Sequence, residues 1–424
     1  MIRFLLKGIL RDRQRSLLPI VVVIIGVMLT VFMFCWINGF MNDSIELNAR
    51  FSTGHVKIMT APYARNIDQI PNDLALTGVD SLILKLHKEF PDMKWEQRIR
   101  FGGLIDAPDS GGETRSQGPA IGFGIDMLSG DPSETGRFNL LKSMRRGRLP
   151  SHPGEILMSE EFSQKLKVNP GDKVTLIGST MNGSMAMYNY TISGTIVFGT
   201  GPMDQGSVVV DLKDVRTALD MNDAAGEIVG YFPENYYDDE KAEQVVTRFN
   251  QLFPPLKDEY APVMTTLRKQ NNLGQMMDQI AQVGGFVVAV FVLSMSLVFW
   301  NAGLLGGLRR YVEFGTRLAI GEDYSHIYLT MIYESVLIGI IGSVIGTVTG
   351  LLISLYMQQH GLDIGSIMKN ATIMMPADFH ARITAGAFII GFIPGLLSTV
   401  LGTMLSGIGI YKRKTAQLFK ELEA

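Results

Sequence analysis

The residues that could do chemistry in this sequence do not stand at catalytic spacing. Its six histidines are scattered, and the zinc-hydrolase pattern H-E-x-x-H does not occur. The stretch "GSTMNGS" (178–184) has two glycines spaced as in a phosphate-binding loop, but Ser184 stands where that loop needs a lysine. A G-x-S-x-G elbow and a dinucleotide fingerprint are missing as well. The sequence therefore predicts a protein that is not an enzyme, with no catalytic or metal site, whose ATP, if it uses any, is bound by another chain.

A short charged stretch between two apolar runs is the most unusual feature of the sequence. It begins at Arg309 and reads "RRYVEFGTRLAIGEDY". Glu313 and Arg317 are four residues apart, so on a helix they would lie on one face and pair. Such an amphipathic helix offers charge and apolar surface to another protein. The alternative is a solvated loop whose arginines only fix how the chain crosses a membrane.

The elements that position this stretch are long apolar windows. Four windows lack Asp, Glu, Lys and Arg, and each has 27 to 30 residues. A helix needs about 20 residues to cross a hydrocarbon core of about 30 Å. The sequence thus predicts a polytopic α-helical membrane protein with four transmembrane helices and a large extracytoplasmic α+β domain between the first and second spans. The net charge of -3 gives no reason to expect nucleic acid.

Lysines and arginines near the window ends predict the orientation. They place both termini and the loop around Arg317 in the cytoplasm, and the long stretch after the first window outside. The first window is longer than a signal-peptide core, so we expect a retained anchor. The predicted segments are a cytoplasmic segment 1–16, span 1 at 17–42, an extracytoplasmic domain at 43–278, span 2 at 279–308, a cytoplasmic coupling segment at 309–325, span 3 at 326–358, a short extracytoplasmic loop at 359–382, span 4 at 383–411 and a cytoplasmic tail at 412–424.

The extracytoplasmic stretch alternates strand and helix patterns at both ends and is mostly strand between them. This order predicts an α/β part, about 51–106 and 205–265, that carries a β-rich insertion at about 107–204. The Gly/Ser/Pro-rich run 106–119 is predicted to be a loop, and helical stalks are predicted at both ends of the domain. The chain has one cysteine, Cys35, inside span 1. The domain therefore has no disulfide framework and must be held by core packing.

Small residues at intervals of four in two spans predict close helix packing. We expect these stripes to pack spans 3 and 4 together, within one copy or between copies. Pro394 should kink span 4 because it lacks a backbone donor. Glu334, inside span 3, should pair with Arg309, Arg310 or Arg317, or reach the headgroups. The packing glycines are Gly342, Gly346 and Gly350 in span 3, and Gly391 and Gly395 in span 4.

The centre of the charged stretch, "EFGTRLAIG", resembles the coupling motif of the FtsX-like permease family, the membrane subunits of a class of ABC transporters. The continuation "YESVLIGIIGSVIGTVTG" is similar to the third span of that family. "RGRLPSHPGEILMSEEFSQKLKVNPGDKVTL" resembles its extracytoplasmic core, and "GHVKI" with "GIDMLSGDPSE" resembles its lipoprotein-releasing branch. By this resemblance, the ATPase-coupling residues are Glu313, Gly315, Arg317, Ala319 and Gly321.

The resemblance also implies partners and a location. We expect a cytoplasmic ABC ATPase that binds ATP and Mg, a second permease copy, identical or related, and the inner-membrane bilayer of a bacterium, with lipoproteins or carrier proteins outside. Acyl chains of the substrate would contact the outer end of span 1 at Phe40, Met41 and Ile45; membrane-anchoring aromatics are the alternative. The expected function is the transmission of ATP-driven motion to extract lipoproteins. The alternatives are export of small amphiphiles, as in MacB-type permeases, and regulation of an extracytoplasmic hydrolase.

Overall fold

The computed structural model describes residues 13–109, 111–199, 201–234, 236–254, 258–270, 272–308, 311–363 and 378–412. The chain divides into two compact units. The membrane unit is drawn from Met1–Asp43, Asp278–Asp363 and Asp378–Ala424, and the inserted domain is Ser44–Met277. The predicted cytoplasmic tail beyond Lys412, the loop centre at 364–377, and Arg309 and Arg310 lie outside the described residues.

The α-helices comprise three long apolar elements and a larger number of shorter ones. In chain order they are α1 (Arg13–Asn48), α2 (Ala61–Arg65), α3 (Val79–Glu89), α4 (Ser133–Arg137), α5 (Leu140–Ser143), α6 (Glu160–Leu166), α7 (Gly201–Asp204), α8 (Leu212–Ala218), α9 (Asp239–Leu252), α10 (Leu273–Leu308), α11 (Tyr311–Ala319), α12 (Tyr324–His360), α13 (Ala387–Ile390) and α14 (Thr399–Lys412). Two π-helical segments, Ala49–Thr53 and Ile393–Ser398, follow α1 and α13.

The strands belong mainly to one mixed sheet of the inserted domain. They are β1 (Val56–Thr60), β2 (Leu76–Thr77), β3 (Lys94–Pro108), β4 (Thr114–Ile125), β5 (Met144–Gly147), β6 (Glu155–Ser159), β7 (Lys173–Ser179), β8 (Met185–Ile196), β9 (Ser207–Asp211), β10 (Ala224–Ala225), β11 (Glu227–Tyr231), β12 (Pro262–Thr266), β13 (Leu362–Asp363) and β14 (Asp378–Phe379).

Six strands of the inserted domain pair in a closed ring, here called the barrel lobe (residues 99–211). The ring order is β3-β4-β9-β6-β8-β7 and back to β3. Closure leaves no free strand edge among these six. Alternate residues point inward because side chains alternate across a strand: Val208 and Val210 belong to the inner core, and Val209 to a separate cluster outside it.

A second, antiparallel group of strands forms the sheet of what is here called the α/β lobe (residues 54–98 and 212–270). Its order is β12-β1-β11-β3. Helices α3 and α9 pack on it through apolar residues at helical spacing, such as Leu82 and Leu86 from α3 and Val246 and Phe249 from α9. The core is continuous with that of the barrel lobe.

The predicted domain boundaries at 107 and 204 differ from those in the structure. Strand β3 is 15 residues long and belongs to both lobes: Lys94–Arg98 pairs with β11, and Ile99 is the first residue to pair with β4. The barrel lobe therefore begins about eight residues earlier than predicted and ends with β9. A composition shift cannot reveal such a boundary, because the strand continues without a break.

The predicted loop at 106–119 is instead mostly a β-hairpin. Strand β3 continues to Pro108 and β4 begins at Thr114. Between them the Asp109 carboxylate accepts hydrogen bonds from the Gly111 and Glu113 amides at 2.8 and 3.0 Å. An Asp side chain that bonds the backbone ahead of it makes a tight turn. The glycines and serines flanking this turn sit within paired strands.

Four helices of the described residues are long and apolar enough to cross a membrane: Pro19–Thr53, Leu273–Asn301, Tyr324–His360 and Ala387–Leu405. These correspond to the four predicted spans, called spans 1 to 4 here. Helix α1 continues to Asn48, beyond the predicted end of span 1 at 42, and α10 begins at Leu273, before the predicted start of span 2 at 279; that these extensions are stalks outside the bilayer stays a prediction. Span 4 starts at Ala387 rather than 383, and Pro394 lies in a π-helical segment, since proline removes one backbone donor.

Gly342, Gly346 and Gly350 pack against span 1, and not against span 4 as we expected, whereas Gly339 of the same span does lie against Leu396 and Gly395 of span 4. A Cβ on Gly342 would lie 2.8 Å from the Cβ of Val23, and one on Gly350 would lie 2.9 Å from the Met28 carbonyl oxygen. The expectation failed because a stripe of small residues reveals a close contact but not which helix makes it. The glycines of span 4, Gly391 and Gly395, do face span 3 as well as span 1.

Candidate functional site

Helix α11 carries the predicted coupling residues. Glu313 Oε1 accepts a hydrogen bond from Arg317 Nη2 at 2.7 Å, one helical turn further along. The pair is partly exposed, Gly315 is buried, and Ala319 ends the helix with its side chain exposed. The charged pair therefore lies on a partly exposed side of this nine-residue helix, while Gly315 between the two residues is buried.

A glycine turn fixes the end of α11. The Gly321 amide donates to the Leu318 carbonyl, and the Glu322 amide donates to the Arg317 carbonyl, both at 3.1 Å. This pair of bonds is the Schellman motif, which requires a positive φ at the glycine; Gly321 has φ +100°. Gly321 is thus explained by the turn into α12, and any substitution there would be strained.

Ile320 is a residue that we did not predict as part of this site. It lies between Ala319 and the capping glycine, and 84% of it is exposed. Among the exposed large apolar side chains of the described residues this is the highest exposed fraction. An apolar side chain held out on a rigid, charged turn is suited to insertion into a partner protein. The only local signal in the sequence is the glycine that follows Ile320 and is typical of a helix C-terminus.

Glu334 lies in the third turn of α12 and is partly buried. Of its three predicted partners, Arg317 is held by Glu313. Arg309 and Arg310 lie outside the described residues, so the pairing with them stays a prediction.

The three residues predicted to contact substrate have different neighbours. Phe40 stacks on Phe379 with ring centroids 5.2 Å apart. Met41 lies beside span 2, where a Cβ on Gly284 would be 3.0 Å from its sulfur. Ile45 packs against the core of the inserted domain. Each side chain is thus used for packing, and Phe40 and Met41 remain partly exposed beside these neighbours.

A polar cluster at the outer end of span 1 was missed by the sequence reasoning. The Asp43 carboxylate accepts a hydrogen bond from the His380 amide at 2.9 Å. Arg382 donates from Nη1 to the Asn42 side chain at 2.9 Å and from its amide to the Cys35 carbonyl at 2.8 Å. The segment before span 4 is therefore attached to span 1 by polar contacts. These contacts join residues more than 330 positions apart, so no local pattern signals them.

The described residues hold no group of three or more His, Cys, Asp or Glu that could bind a metal ion. Their buried titratable groups are mainly paired in ion pairs of the inserted domain. Lys57 Nζ, for example, lies 2.6 Å from Glu227 Oε2, with both side chains at most 1% exposed. Burial alone would raise the pKa of Glu227, but Lys57 and Arg100 beside it hold that pKa below its ordinary value.

These features define a class of protein: a membrane subunit with four spans, a large mixed α/β domain inserted between the first two, and a short charged helix between spans 2 and 3. Two family models match the chain over nearly its whole length. The MacB-like periplasmic core domain matches residues 16–283, and the FtsX-like permease C-terminal domain matches residues 285–415. The chain belongs to this family of FtsX-like, MacB-type ABC transporter permeases.

One sequence relative and one solved structure are similar to the chain. The chain is 21% identical over 295 residues to the lipoprotein-releasing system transmembrane protein LolC of Haemophilus influenzae, covering 66% of this chain and 67% of that protein. A crystal structure of the periplasmic region of MacB from Actinobacillus actinomycetemcomitans matches with a TM-score of 0.35 at 11% identity, over 53% of this chain and 94% of that one. The protein is therefore a multi-pass membrane protein with a periplasmic core domain, of a permease family that works with cytoplasmic ABC ATPases and is normally non-catalytic.

Proposed function

We propose that this chain receives the ATP-driven motion of a separate ATPase at α11 and transmits it to the inserted domain, which extracts lipoproteins from the inner membrane. The observation that carries the docking step is the geometry of α11. Its Glu313–Arg317 pair fixes a charged face, and the turn at Gly321 holds Ile320 out from the protein. ATP and Mg are bound by the partner, and the termini lie on the same side as α11, in the cytoplasm.

The tight connection between α11 and α12 supports transmission rather than mere attachment. Only the four residues 320–323 separate the two helices, and two backbone hydrogen bonds close the turn. A force on α11 therefore passes directly into span 3, whose glycines lie against span 1. Span 1 in turn ends in the first residues of the inserted domain.

Lipoprotein is the proposed substrate because of the relative, LolC, whose name describes a lipoprotein-releasing system. A second copy of the chain, or a related permease, is expected to complete the transporter. Export of a small amphiphile and control of an extracytoplasmic hydrolase are the alternative outcomes. Photocrosslinking from position 40 in native membranes distinguishes the three, because the trapped molecule is a lipoprotein, a small amphiphile or an enzyme.

The docking step is tested by pull-down of the ATPase from native membranes in mild detergent. Ile320→Glu and Glu313→Arg are each expected to reduce the amount of co-purified ATPase at least ten-fold. The first puts a charge into an apolar contact, and the second replaces the Glu313–Arg317 ion pair by two positive charges. Gly315→Trp should do the same by adding bulk at a buried position of α11. Unchanged association in all three variants would rule out docking at α11.

A matched control comes from the inserted domain. Ile121 lies on β4 and is 50% exposed, so Ile121→Glu makes the same chemical change on an exposed apolar residue. We expect it to leave the ATPase bound. If Ile121→Glu and Ile320→Glu reduce association equally, the loss reflects the change in charge and not a docking site.

A further inference from the structure

The outer end of span 1, residues 44–53, is embedded in the inserted domain and is called the stalk end here. Glu46 accepts hydrogen bonds from the Tyr237 amide at 2.6 Å and from His55 Nε2 at 3.1 Å. His55 Nδ1 accepts from the Phe232 amide at 3.0 Å, so the proton of a neutral imidazole is on Nε2, facing Glu46. All four of these residues belong to the stalk end or the α/β lobe. The α/β lobe therefore holds the stalk end directly.

A second connection runs from the stalk end to the barrel lobe. The Tyr231 hydroxyl donates to the Ala49 carbonyl oxygen at 3.0 Å and accepts from Arg98 Nη2 at 2.9 Å. Arg98 in turn donates two hydrogen bonds to Glu134, at 2.7 and 2.9 Å. Glu134 is on α4, which follows barrel strand β4. Three hydrogen-bonded steps thus join the stalk end to the barrel lobe.

This connection is built from buried groups. Ala49, Tyr231, Arg98 and Glu134 are each at most 2% exposed, and a two-bond arginine–carboxylate pair fixes direction as well as distance. Burial raises the pKa of the Tyr231 hydroxyl, which therefore keeps the proton that it donates. The Arg137 guanidinium lies 4.0 Å above the Tyr231 ring and adds a cation–π contact on the other side.

Arg98 is the residue of β3 at which the α/β lobe ends and the barrel lobe begins. It is the last residue of β3 to pair with β11, opposite Glu227, and Ile99 is the first to pair with β4. The two lobes also share a continuous core, so packing limits the angle between them, and the polar groups fixed beside Arg98 restrict that angle further. A buried ion pair is a poor means of simply adding stability, since desolvation offsets much of its attraction. Its position is better explained by control of this angle.

We propose that Arg98 and Tyr231 form the joint through which the barrel lobe follows the movement of the span 1 helix. This inference rests on the proposed function of transmitting motion, and it names the positioning residues that carry it. Neither residue touches substrate. Their role is to keep the distance between Ala49 of the stalk end and Glu134 of the barrel lobe constant while the stalk end moves.

The test measures the distance between the stalk end and the barrel lobe by pulsed electron spin resonance, in the full chain in lipid nanodiscs. Spin labels are placed at the exposed positions Arg50 and Met185, in a background in which Cys35 is replaced by alanine. Tyr231→Phe removes only the hydroxyl of the joint. The expected result is one narrow distance distribution in the parent and a distribution at least twice as wide in Tyr231→Phe.

Tyr237→Phe is the matched control, because the Tyr237 hydroxyl bonds Asp239 within the α/β lobe at 2.6 Å. It removes the same group and should leave the distribution narrow. Arg98→Lys is a second variant for the case that Tyr231→Phe does not fold, since it keeps the charge and loses the two-bond geometry. Widths equal to the parent in whichever of these joint variants folds, with melting temperatures showing a folded domain, would overturn the proposal.

The failure of this proposal can be told apart from failure of the proposed function. The first measurement uses neither ATPase nor nucleotide, so it does not depend on docking at α11. In a second measurement, the co-purified ATPase and a non-hydrolysable ATP analogue are added. The Arg50–Met185 distance should stay constant in the parent, because the lobe moves with the stalk end, and should change in Tyr231→Phe. A change of equal size in the parent would overturn the joint, while the pull-down result would stand.

Discussion

Gly346 of span 3 lies so close to Val27 of span 1 that no side chain fits between the helices. A Cβ on Gly346 would be 2.7 Å from the Val27 Cβ and 2.8 Å from the Ile24 carbonyl oxygen. The second neighbour is backbone, which cannot move aside without shifting span 1. Small residues permit this approach in a bilayer, where apolar side chains gain nothing from association alone.

Gly346→Ala is therefore expected to separate spans 1 and 3 and to lower the stability of the solubilised protein by about 1–3 kcal/mol, the usual cost of overpacking. The measurement is the melting temperature of the full chain in detergent. Gly285→Ala in span 2 is the control, because a Cβ there has no neighbour within 4 Å. Equal melting temperatures for the parent and Gly346→Ala would contradict the packing described above.

The sequence predicted most of the individual helices and strands, but it did not predict which of them pack or pair with one another. The number of spans follows from the length of the four apolar windows, and the order of strands and helices in the extracytoplasmic domain follows from local periodicity, which each segment carries by itself. The partner of the Gly342–Gly350 stripe, the division of β3 between two lobes and the Asp43–His380 contact depend on residues far apart in the chain. The ion pair within α11 was predictable because Glu313 and Arg317 are one turn apart. Ile320 was overlooked because exposure is decided by the turn around it.

Glu46→Gln is expected to weaken the attachment of the stalk end to the α/β lobe. Glu46 Oε1 accepts from both the Tyr237 amide and His55 Nε2, and Oε2 lies 3.3 Å from the same Nε2. A glutamine places an NH2 donor at one of these two oxygen positions, so at least one of the two donors then faces another donor. A buried donor left unsatisfied costs about 1–3 kcal/mol. Thermal unfolding of the full chain followed by tryptophan fluorescence measures the change.

The control for Glu46→Gln is Glu243→Gln. The Glu243 carboxylate also pairs with a cation, Lys269 at 2.8 Å, but both side chains are more than 40% exposed. Exposed pairs contribute about 0–1 kcal/mol, so this variant should melt close to the parent. Equal losses of melting temperature for the two substitutions would mean that burial does not increase the contribution of the Glu46 carboxylate to stability.

Lys57→Met should strongly destabilise the inserted domain, because it leaves Glu227 buried without its nearest cation. Removing one member of a buried ion pair costs about 3–5 kcal/mol. The double variant Lys57→Met with Glu227→Leu is expected to recover most of that loss, since it removes the remaining charge as well. Melting temperatures of the two variants and the parent give the comparison.

An exposed pair provides the reference for Lys57→Met. Lys241 and Glu234 lie 3.2 Å apart with both side chains more than half exposed, and Lys241→Met should change stability by less than about 1 kcal/mol. If the double variant is as unstable as Lys57→Met alone, the loss comes from packing of the lysine side chain and not from an uncompensated charge.

Glu155 should make part of the stability dependent on acid pH. Hydrogen bonds from Arg148, and then from the Ser151 and His152 amides, lower the pKa of its carboxyl from 4.5 to about 2. A carboxyl whose pKa is lower in the folded state binds more protons when unfolded, so its contribution is complete above pH 4.5 and is lost as the pH falls toward 2. Glu155→Gln should therefore melt below the parent at pH 6, and this difference should shrink as the pH is lowered to 3.

Arg148→Met removes the main hydrogen-bond donor to Glu155. Its melting temperature should therefore also fall less than that of the parent between pH 6 and pH 3. A melting difference between the parent and Glu155→Gln that is independent of pH would show that the carboxylate is not held ionised by these donors.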